Sequence, residues 1–138
     1  MNNGYYRNLA IDYQKEGDNN KAIEYFLMAI DNGDALACID MAVEVKYPDL
    51  RYKYTKDSIK AINSNKLEYY LDLGIAMGSL DCMFYKAREL VFGDYLVKNN
   101  EEAYKLLIYL QQQEYDTDYL DDDYTVDDYI DIINKEKE

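Results

Sequence analysis

The sequence predicts an all-α protein, a short right-handed α-solenoid of about three degenerate antiparallel helical hairpins with an acidic C-terminal capping helix. The first observation behind this prediction is internal similarity, because residues 19–42 and 63–87 align at an offset of 44 positions with recurring Asn, Glu, Tyr, Leu and Cys residues. The second is that apolar residues recur every three or four positions, as on one face of a helix. Similarity at this period is typical of stacked helical repeats, in which each unit buries its apolar face against its neighbours.

Equivalent positions of the repeat hold side chains of similar character. The offset of 44 aligns Phe26 with Tyr70 and Cys38 with Cys82, and a third copy aligns Leu107 with Phe26 at an offset of 81. We expect these side chains to be packing counterparts in a continuous core. The two cysteines are then small buried hydrophobes in separate repeats rather than the halves of a disulfide.

Local signals divide the repeat region into six helices. In the second helix, Asp18 or Asn19 provides an N-cap and Gly33 provides the C-terminal stop. Asp34 then caps the third helix, so that the two helices form an antiparallel hairpin. The six helices are expected near residues 5–16, 19–32, 34–46, 64–77, 79–92 and 99–113.

The third helix carries two kinds of apolar residue. Leu36, Ile39 and Val43 fall on one side at helical spacing, and we expect them to be its apolar side. Small residues, among them Cys38 and Ala42, lie beside them and would permit the close approach of a neighbouring helix.

Residues 46–64 interrupt the repeat as an insertion. Pro48 breaks the helical pattern, and a helical turn is expected over residues 58–62. Basic residues interleaved with aromatic ones can bind phosphate or single-stranded nucleic acid, although this patch is modest on an acidic chain. A contact with the acidic tail, within one chain or in a dimer, is the alternative. The basic residues are Lys46, Arg51, Lys53, Lys56 and Lys60, and the tyrosines are Tyr47, Tyr52 and Tyr54.

The last 25 residues form an acidic tail, and we divide the chain into repeats at 1–113 and a tail at 114–138. The tail contributes −9 to the net charge, from eleven acids and two lysines. From Thr125 onward, a Thr-x-x-Asp cap precedes apolar residues at helical spacing, which predicts a terminal helix. A calcium loop would use Asp121, Asp123 and Asp127, but the central glycine and the closing glutamate are missing, so no calcium site is predicted.

Tyrosines punctuate this acidic region. Tyr115, Tyr119, Tyr124 and Tyr129 recur at spacings of four or five. Tyrosine beside carboxylates could imitate the charge and stacking of nucleic acid toward a basic groove. The simpler interpretation is that some of these rings pack the terminal helix onto the repeats.

The run NLAIDYQKEGDNNKAIEYFLMAI resembles a tetratricopeptide unit, and the long variable spacing resembles the Sel1-like subfamily. The run ARELVFGDYLVKNNEEAYKLL is similar to the Sel1-like pattern of a glycine loop followed by an alanine-anchored helix. Ala10 replaces the family glycine, Lys86 stands where the family prefers an apolar residue, and the insertion departs from the family rhythm. The matching residues of the first unit are Asn8, Leu9, Tyr13, Gly17, Asp18, Ala22, Phe26 and Ala29.

The resemblance implies a function as well as a fold. Proteins of this type hold a partner segment on a concave surface lined by the first helix of each hairpin. Carried over by position, Arg7, Asn8 and Ile11 would face that groove, and Tyr13 would belong to the core.

Composition argues against several kinds of chemistry. The chain has 138 residues, no histidine and a formal net charge of −13. It therefore lacks the commonest general base and metal ligand, and we expect no enzyme activity, no cofactor and no metal site. No apolar stretch is long enough to span a membrane and no secretory signal is evident, so a cytoplasmic protein without a membrane partner is expected.

Two functional hypotheses follow from the charge and the repeats. The first is a non-catalytic protein–protein interaction module or adaptor that binds a partner segment on its repeat surface. The second is a small acidic inhibitor, viral in origin on this interpretation, whose Asp121, Asp122 and Asp123 occupy the basic groove of a nucleic-acid-binding enzyme. Both favour a basic protein partner over direct contact with nucleic acid.

Overall fold

Helices dominate the computed structural model, which describes residues 4–117 and 122–137. That part of the chain contains α-helices, a 3-10 turn at Ser64–Lys66 and no strand, which confirms the all-α prediction. Each predicted helix overlaps an observed one. The α-helices are α1 (Tyr5–Lys15), α2 (Asn19–Asp31), α3 (Ala35–Lys46), α4 (Lys56–Ala61), α5 (Leu67–Ala76), α6 (Leu80–Phe92), α7 (Asn100–Gln112) and α8 (Val126–Glu136).

The hairpin joint between α2 and α3 follows the predicted capping pattern. The Asp18 carboxylate accepts a hydrogen bond from the Lys21 backbone N–H at 3.1 Å. At the other end of α2, Gly33 adopts a φ of +84°, a conformation that side chains disfavour, and the Asp34 N–H donates to the Ala29 carbonyl at 3.0 Å. The Asp34 carboxylate then caps α3, so two residues end one helix and begin the next.

The chain divides into two compact units, Met1–Ser79 and Leu80–Glu138. In the first unit, α1 packs on α2, α2 on α3 and α4, and α3 on α5. In the second unit, α7 packs on α6 and α8, and α6 also contacts α8. The division of the sequence at residue 113 stays a prediction.

The expected packing counterparts are buried. Phe26, Cys38, Cys82 and Leu107 have no exposed surface, and Tyr70 is 3% exposed. Both cysteines are free thiols, as expected. The Tyr70 hydroxyl donates to the Ala61 carbonyl at 2.6 Å, and burial raises the pKa of Tyr70 to about 12, so the ring remains a neutral donor.

Tyr13 is only partly buried, although the family resemblance implies a core position. Its ring stacks on Tyr25 of α2 at 5.4 Å between centroids, and Tyr25 also stacks on Tyr6 at 6.4 Å. Tyr13 therefore joins α1 to α2 at the edge of the core rather than inside it.

The side of α3 that carries Leu36, Ile39 and Val43 is largely exposed. Leu36 and Val43 are each 46% exposed, whereas Ile39 is partly buried. The buried side carries mostly small residues, because α3 packs against both α2 and α5 and small side chains allow close approach. The buried residues of α3 are Ala37, Cys38, Met41, Ala42 and Val45.

The insertion is held against the start of α2 by Asn20. The Asn20 side chain donates to the Lys53 carbonyl at 3.3 Å and accepts from the Thr55 N–H at 3.0 Å. The Asn20 backbone N–H donates to the Tyr52 hydroxyl at 3.3 Å. Thr55 then caps α4, which replaces the predicted helical turn with a short helix.

The terminal helix α8 has the predicted cap and the predicted apolar face. The Thr125 hydroxyl accepts from the Asp128 N–H at 3.2 Å, and the Asp128 carboxylate accepts from the Thr125 N–H at 2.8 Å, which together form a capping box. The buried residues of α8 are Val126, Tyr129, Ile130 and Ile133, in one core with Phe84 of α6 and Leu107 of α7.

Lys86 departs from the family pattern and is nevertheless buried. Lys86 is 6% exposed, and its ammonium lies 3.1 Å from a carboxylate oxygen of Glu102. The long aliphatic stem fills space between α6 and α7 while the charge reaches the more exposed carboxylate.

Phe26→Ala tests the core of the first unit. Because the ring has no exposed surface, its removal should lower the free energy of unfolding by about 3–5 kcal/mol. The measurement is urea denaturation followed by circular dichroism. The matched control is Met28→Ala on the same helix, where the side chain is 37% exposed and the expected loss is much smaller. Equal losses in the two variants would contradict the described core.

Candidate functional site

A row of large exposed side chains runs along α3. Leu36 and Val43 share one face of α3 with the partly buried Asp40, and Tyr47 extends the row as the C-cap residue of the helix. Leu36 and Val43 are 46% exposed and Tyr47 is 64% exposed. A helix that is apolar on its exposed side as well as on its buried side is typical of an element that contacts a partner.

Arg7 of α1 is tied to the centre of this row. Its Nε donates to Asp40 Oδ2 at 2.5 Å, and its Nη2 donates to Oδ1 at 3.4 Å. Loss of surrounding water raises the pKa of Asp40, and the guanidinium opposes that rise. The hydrogen bond to Asp40 in turn raises the pKa of Arg7. The pair therefore places little net charge in the middle of an apolar row.

A second contact joins the same two helices. Gln14 Nε2 donates to Glu44 Oε1 at 2.8 Å. Burial raises the pKa of Glu44, the hydrogen bond from Gln14 opposes the rise, and the nearby carboxylates of Asp40 and Asp49 add to it. This side of α3 is therefore acidic as well as apolar.

Ile11 lies between the two contacts on α1. It is four residues after Arg7 and three before Gln14, so the three side chains share one face of the helix. Ile11 is partly buried, and Asn8 is exposed at the neighbouring position. The structure thus brings Arg7 to α3 through Asp40, places Ile11 on the same face of α1 and leaves Asn8 exposed. We define the α1–α3 face as Arg7, Ile11, Gln14, Leu36, Asp40, Val43, Glu44 and Tyr47.

Sequence reasoning missed the α3 half of this face. The available signal was the apolar pattern of α3, which continues around the helix instead of forming one stripe. The pairing of Arg7 with Asp40 could not be foreseen, because the residues are 33 positions apart.

Asp122 of the predicted acidic site is bound within its own unit. Its side chain is 7% exposed and accepts from Arg88 Nη1 at 3.1 Å and from the Tyr129 hydroxyl at 3.0 Å. The Tyr124 backbone N–H donates to it as well, at 2.9 Å. Asp123 is exposed, and Asp121 lies outside the described residues.

The four tail tyrosines have different environments. Tyr129 is 1% exposed, and its burial raises the pKa of its hydroxyl, with the Asp122 carboxylate adding to the rise. Tyr115 is partly buried and its hydroxyl donates to Asp81, whereas Tyr124 is 42% exposed. Tyr119 lies outside the described residues.

The tyrosines of the basic insertion brace the loop. The Tyr54 hydroxyl accepts from the Asp49 N–H at 2.9 Å, and the rings of Tyr52 and Tyr54 contact each other at 4.9 Å between centroids. The Lys46 ammonium lies 5.3 Å from the centroid of the Tyr47 ring. These contacts give the rings a structural role in the loop.

An open cleft of about 350 Å³ lies beside α4 in the first unit. Its floor includes Tyr70 and Leu73, and its rim carries two lysines and two aspartates. The balanced charges of this rim favour neither an anionic nor a cationic ligand. The charged rim residues are Asp31, Asp57, Lys60 and Lys66.

Metal ligands do not cluster in the residues described. Within 4–117 and 122–137, no group of three or more histidine, cysteine, aspartate or glutamate side chains could hold a metal ion. In the same ranges, none of the helices has the length and apolar character needed to cross a membrane. Comparison of the chain with protein-family models, with curated proteins and with solved structures found no match.

Asp122→Ala should destabilise the second unit, and Asp123→Ala is its matched control. The first change removes the partner of Arg88 and the acceptor of the Tyr129 hydroxyl, which should cost about 1.5–3 kcal/mol. The second changes an exposed side chain and should cost at most about 0.5 kcal/mol. Urea denaturation of both variants measures the difference. A larger loss at Asp123 than at Asp122 would contradict the described contacts.

Glu44→Gln tests whether the ionised, partly buried Glu44 carboxylate on α3 destabilises the folded chain at neutral pH. Because burial raises the pKa of Glu44, the folded chain binds more protons than the unfolded chain between the two pKa values. The stabilising contribution of protonated Glu44 is therefore fully present below the ordinary pKa of 4.5. It is lost as the pH rises through the higher pKa that Glu44 has in the folded chain.

Glutamine can still accept from Gln14 but cannot ionise. We expect equal stabilities at about pH 3.5 and a more stable variant at about pH 7, measured by urea denaturation. The exposed Glu24 provides the control variant, Glu24→Gln, which should change little at either pH. A native chain more stable than Glu44→Gln at neutral pH would contradict this interpretation.

Proposed function

We propose that this protein is a non-catalytic protein–protein interaction module that binds a basic amphipathic segment of a partner on its α1–α3 face. The observation that carries the proposal is the row of exposed apolar side chains on α3 beside carboxylates. Leu36, Val43 and Tyr47 offer apolar surface to a partner. The carboxylates of Glu44 and Asp49 lie near each other and make this part of the surface negatively charged. An amphipathic helix laid along such a surface uses its apolar side for affinity and its charges for selectivity.

Arg7 has a positioning role in this proposal. It holds α1 against α3, and it compensates the charge of Asp40 in the middle of the row. An uncompensated carboxylate there would have to be desolvated when the partner covers it, which would oppose binding. The carboxylates at the edge of the row remain partly hydrated and can select a cationic partner.

The repeat architecture is part of the proposal. Arg7 contacts Asp40 and Gln14 contacts Glu44, in the same order along both helices, which favours a parallel arrangement of α1 and α3. First helices of successive hairpins have this relation in tetratricopeptide and Sel1-like arrays. The burial of Phe26 and Tyr70 at equivalent positions supports two related hairpins in the first unit. A cytoplasmic location is part of the same expectation.

The acidic-inhibitor hypothesis stays a prediction, and fewer of its three aspartates are available to bind a basic groove. Of its three aspartates, only Asp123 is both described and exposed. Asp122 already accepts hydrogen bonds from Arg88, Tyr129 and the backbone of Tyr124.

The test is binding of a fluorescent helical peptide with leucines on one face and lysines on the other, followed by anisotropy. The double variant Leu36→Ser/Val43→Ser should bind at least about tenfold more weakly, because two exposed apolar contacts are lost without a change in the core. The matched control is Leu50→Ser/Ile59→Ser, which removes two exposed apolar side chains outside the face, 92% and 54% exposed.

A peptide with glutamates in place of the lysines should not bind. Tight binding of that peptide, failure of the lysine peptide to bind, or equal weakening in the two double variants would overturn the proposal. Circular dichroism of both variants checks that their helix content is unchanged.

A further inference from the structure

Three aromatic rings meet at the end of α6 in the second unit. Phe92, Tyr124 and Tyr129 lie 5.4 to 6.3 Å apart between centroids. Tyr129 is 1% exposed, whereas Phe92 is 44% and Tyr124 is 42% exposed. The cluster therefore presents two rings to solvent and anchors both on a third ring that belongs to the core.

Asp122 holds this cluster in place from the inside. It accepts from the Tyr129 hydroxyl and from the Tyr124 backbone N–H, and Arg88 binds the same carboxylate. The Asp122 carboxylate thus binds both the hydroxyl of the buried Tyr129 and the backbone of the exposed Tyr124. A ligand that stacks on Tyr124 or Phe92 would find ordered rings and would lose little additional conformational entropy.

The residue that precedes the exposed Tyr124 is an exposed carboxylate. Asp123 directly precedes Tyr124 and is exposed, and the whole chain carries a formal charge of −13. An aromatic face and a carboxylate together attract a cation, the ring through its quadrupole and the carboxylate through its charge. An anionic ligand would be repelled, and a neutral apolar ligand would gain nothing from the carboxylate.

Guanidinium suits these rings better than ammonium. It is planar, so it can stack on a ring while its N–H groups reach a carboxylate. The second unit already contains such a contact, because the guanidinium carbon of Arg88 lies 4.6 Å from the centroid of the Tyr85 ring.

We propose that Phe92, Tyr124 and Asp123 form a recognition site for an arginine side chain of a basic partner. The guanidinium stacks on the exposed rings and pairs with the Asp123 carboxylate. This site lies in the second unit, so it goes beyond the proposed function of the α1–α3 face and does not depend on it.

The test is an NMR titration of the full chain with the peptide acetyl-Gly-Arg-Gly-Arg-Gly-amide, observing the ring protons of Phe92 and Tyr124. The control ligand has citrulline in place of arginine, which keeps the planar group and removes its charge. Saturable shifts of these rings are expected with the arginine peptide, with affinity at least about two- to fivefold higher than with the citrulline peptide.

Variants separate the ring and the carboxylate from general surface effects. Tyr124→Leu keeps an apolar side chain without a ring, and Asp123→Asn removes the charge, so each should weaken binding about two- to fivefold. The matched control is Tyr95→Leu, which replaces another exposed tyrosine of the unit, 46% exposed, and should leave affinity unchanged. Backbone NMR spectra of each variant check that the unit remains folded.

Three results would overturn the proposal. These are equal affinity for the citrulline peptide, unchanged affinity in both Tyr124→Leu and Asp123→Asn, and equal weakening in Tyr95→Leu. Repeating the titration with Leu36→Ser/Val43→Ser separates this site from the α1–α3 face, since the arginine peptide should bind that variant as it binds the native chain.

Discussion

Close packing of α3 between α2 and α5 is the constraint on which the proposed function depends. Small residues such as Ala37 and Cys38 have no exposed surface there, and they allow two neighbouring helices to approach α3. The larger Leu36 and Val43 are left on the outside as a consequence. A helix that packs on two neighbours must be complementary to both, and its remaining side is the surface on which we propose that a partner binds.

Carboxylates have two different roles in this acidic chain. Asp40 on α3 is bound to Arg7 of α1, and Asp122 in the segment before α8 is bound to Arg88 of α6, with aspartate side chains 22% and 7% exposed. Asp123 is exposed and contributes to the negative field. An ion pair of the first kind fixes an arrangement more than it adds stability, because desolvation offsets much of the attraction. Such pairs hold the proposed recognition surfaces in one conformation.

The two proposed surfaces share a design although they differ in chemistry. On the α1–α3 face, the paired Arg7 and Asp40 lie among exposed aliphatic side chains. In the second unit, the paired Arg88 and Asp122 lie beneath exposed aromatic rings. In both proposals an ion pair accompanies apolar groups that remain open to solvent, and groups that are already ordered would lose little conformational entropy when a partner binds.

Local order was readable from the sequence because it depends on nearby residues. The capping side chains of Asp18, Asp34 and Thr125 act within three positions of themselves. Helical spacing pointed to the buried Phe26, and the internal similarity pointed to its counterpart Tyr70. Helix bounds, the terminal helix and the buried state of the cysteines were therefore predictable.

Only the tertiary structure decided which of several chemically similar side chains bind other residues of the chain and which remain exposed. Nothing in the sequence separates Asp122 from Asp123, yet one is bound to Arg88, 34 positions away, and the other is exposed. Likewise, α3 carries apolar residues on more than one side, and only the positions of its neighbours determine which side is covered. Spacing within a helix defines its faces, whereas burial of a face depends on segments that are distant in sequence.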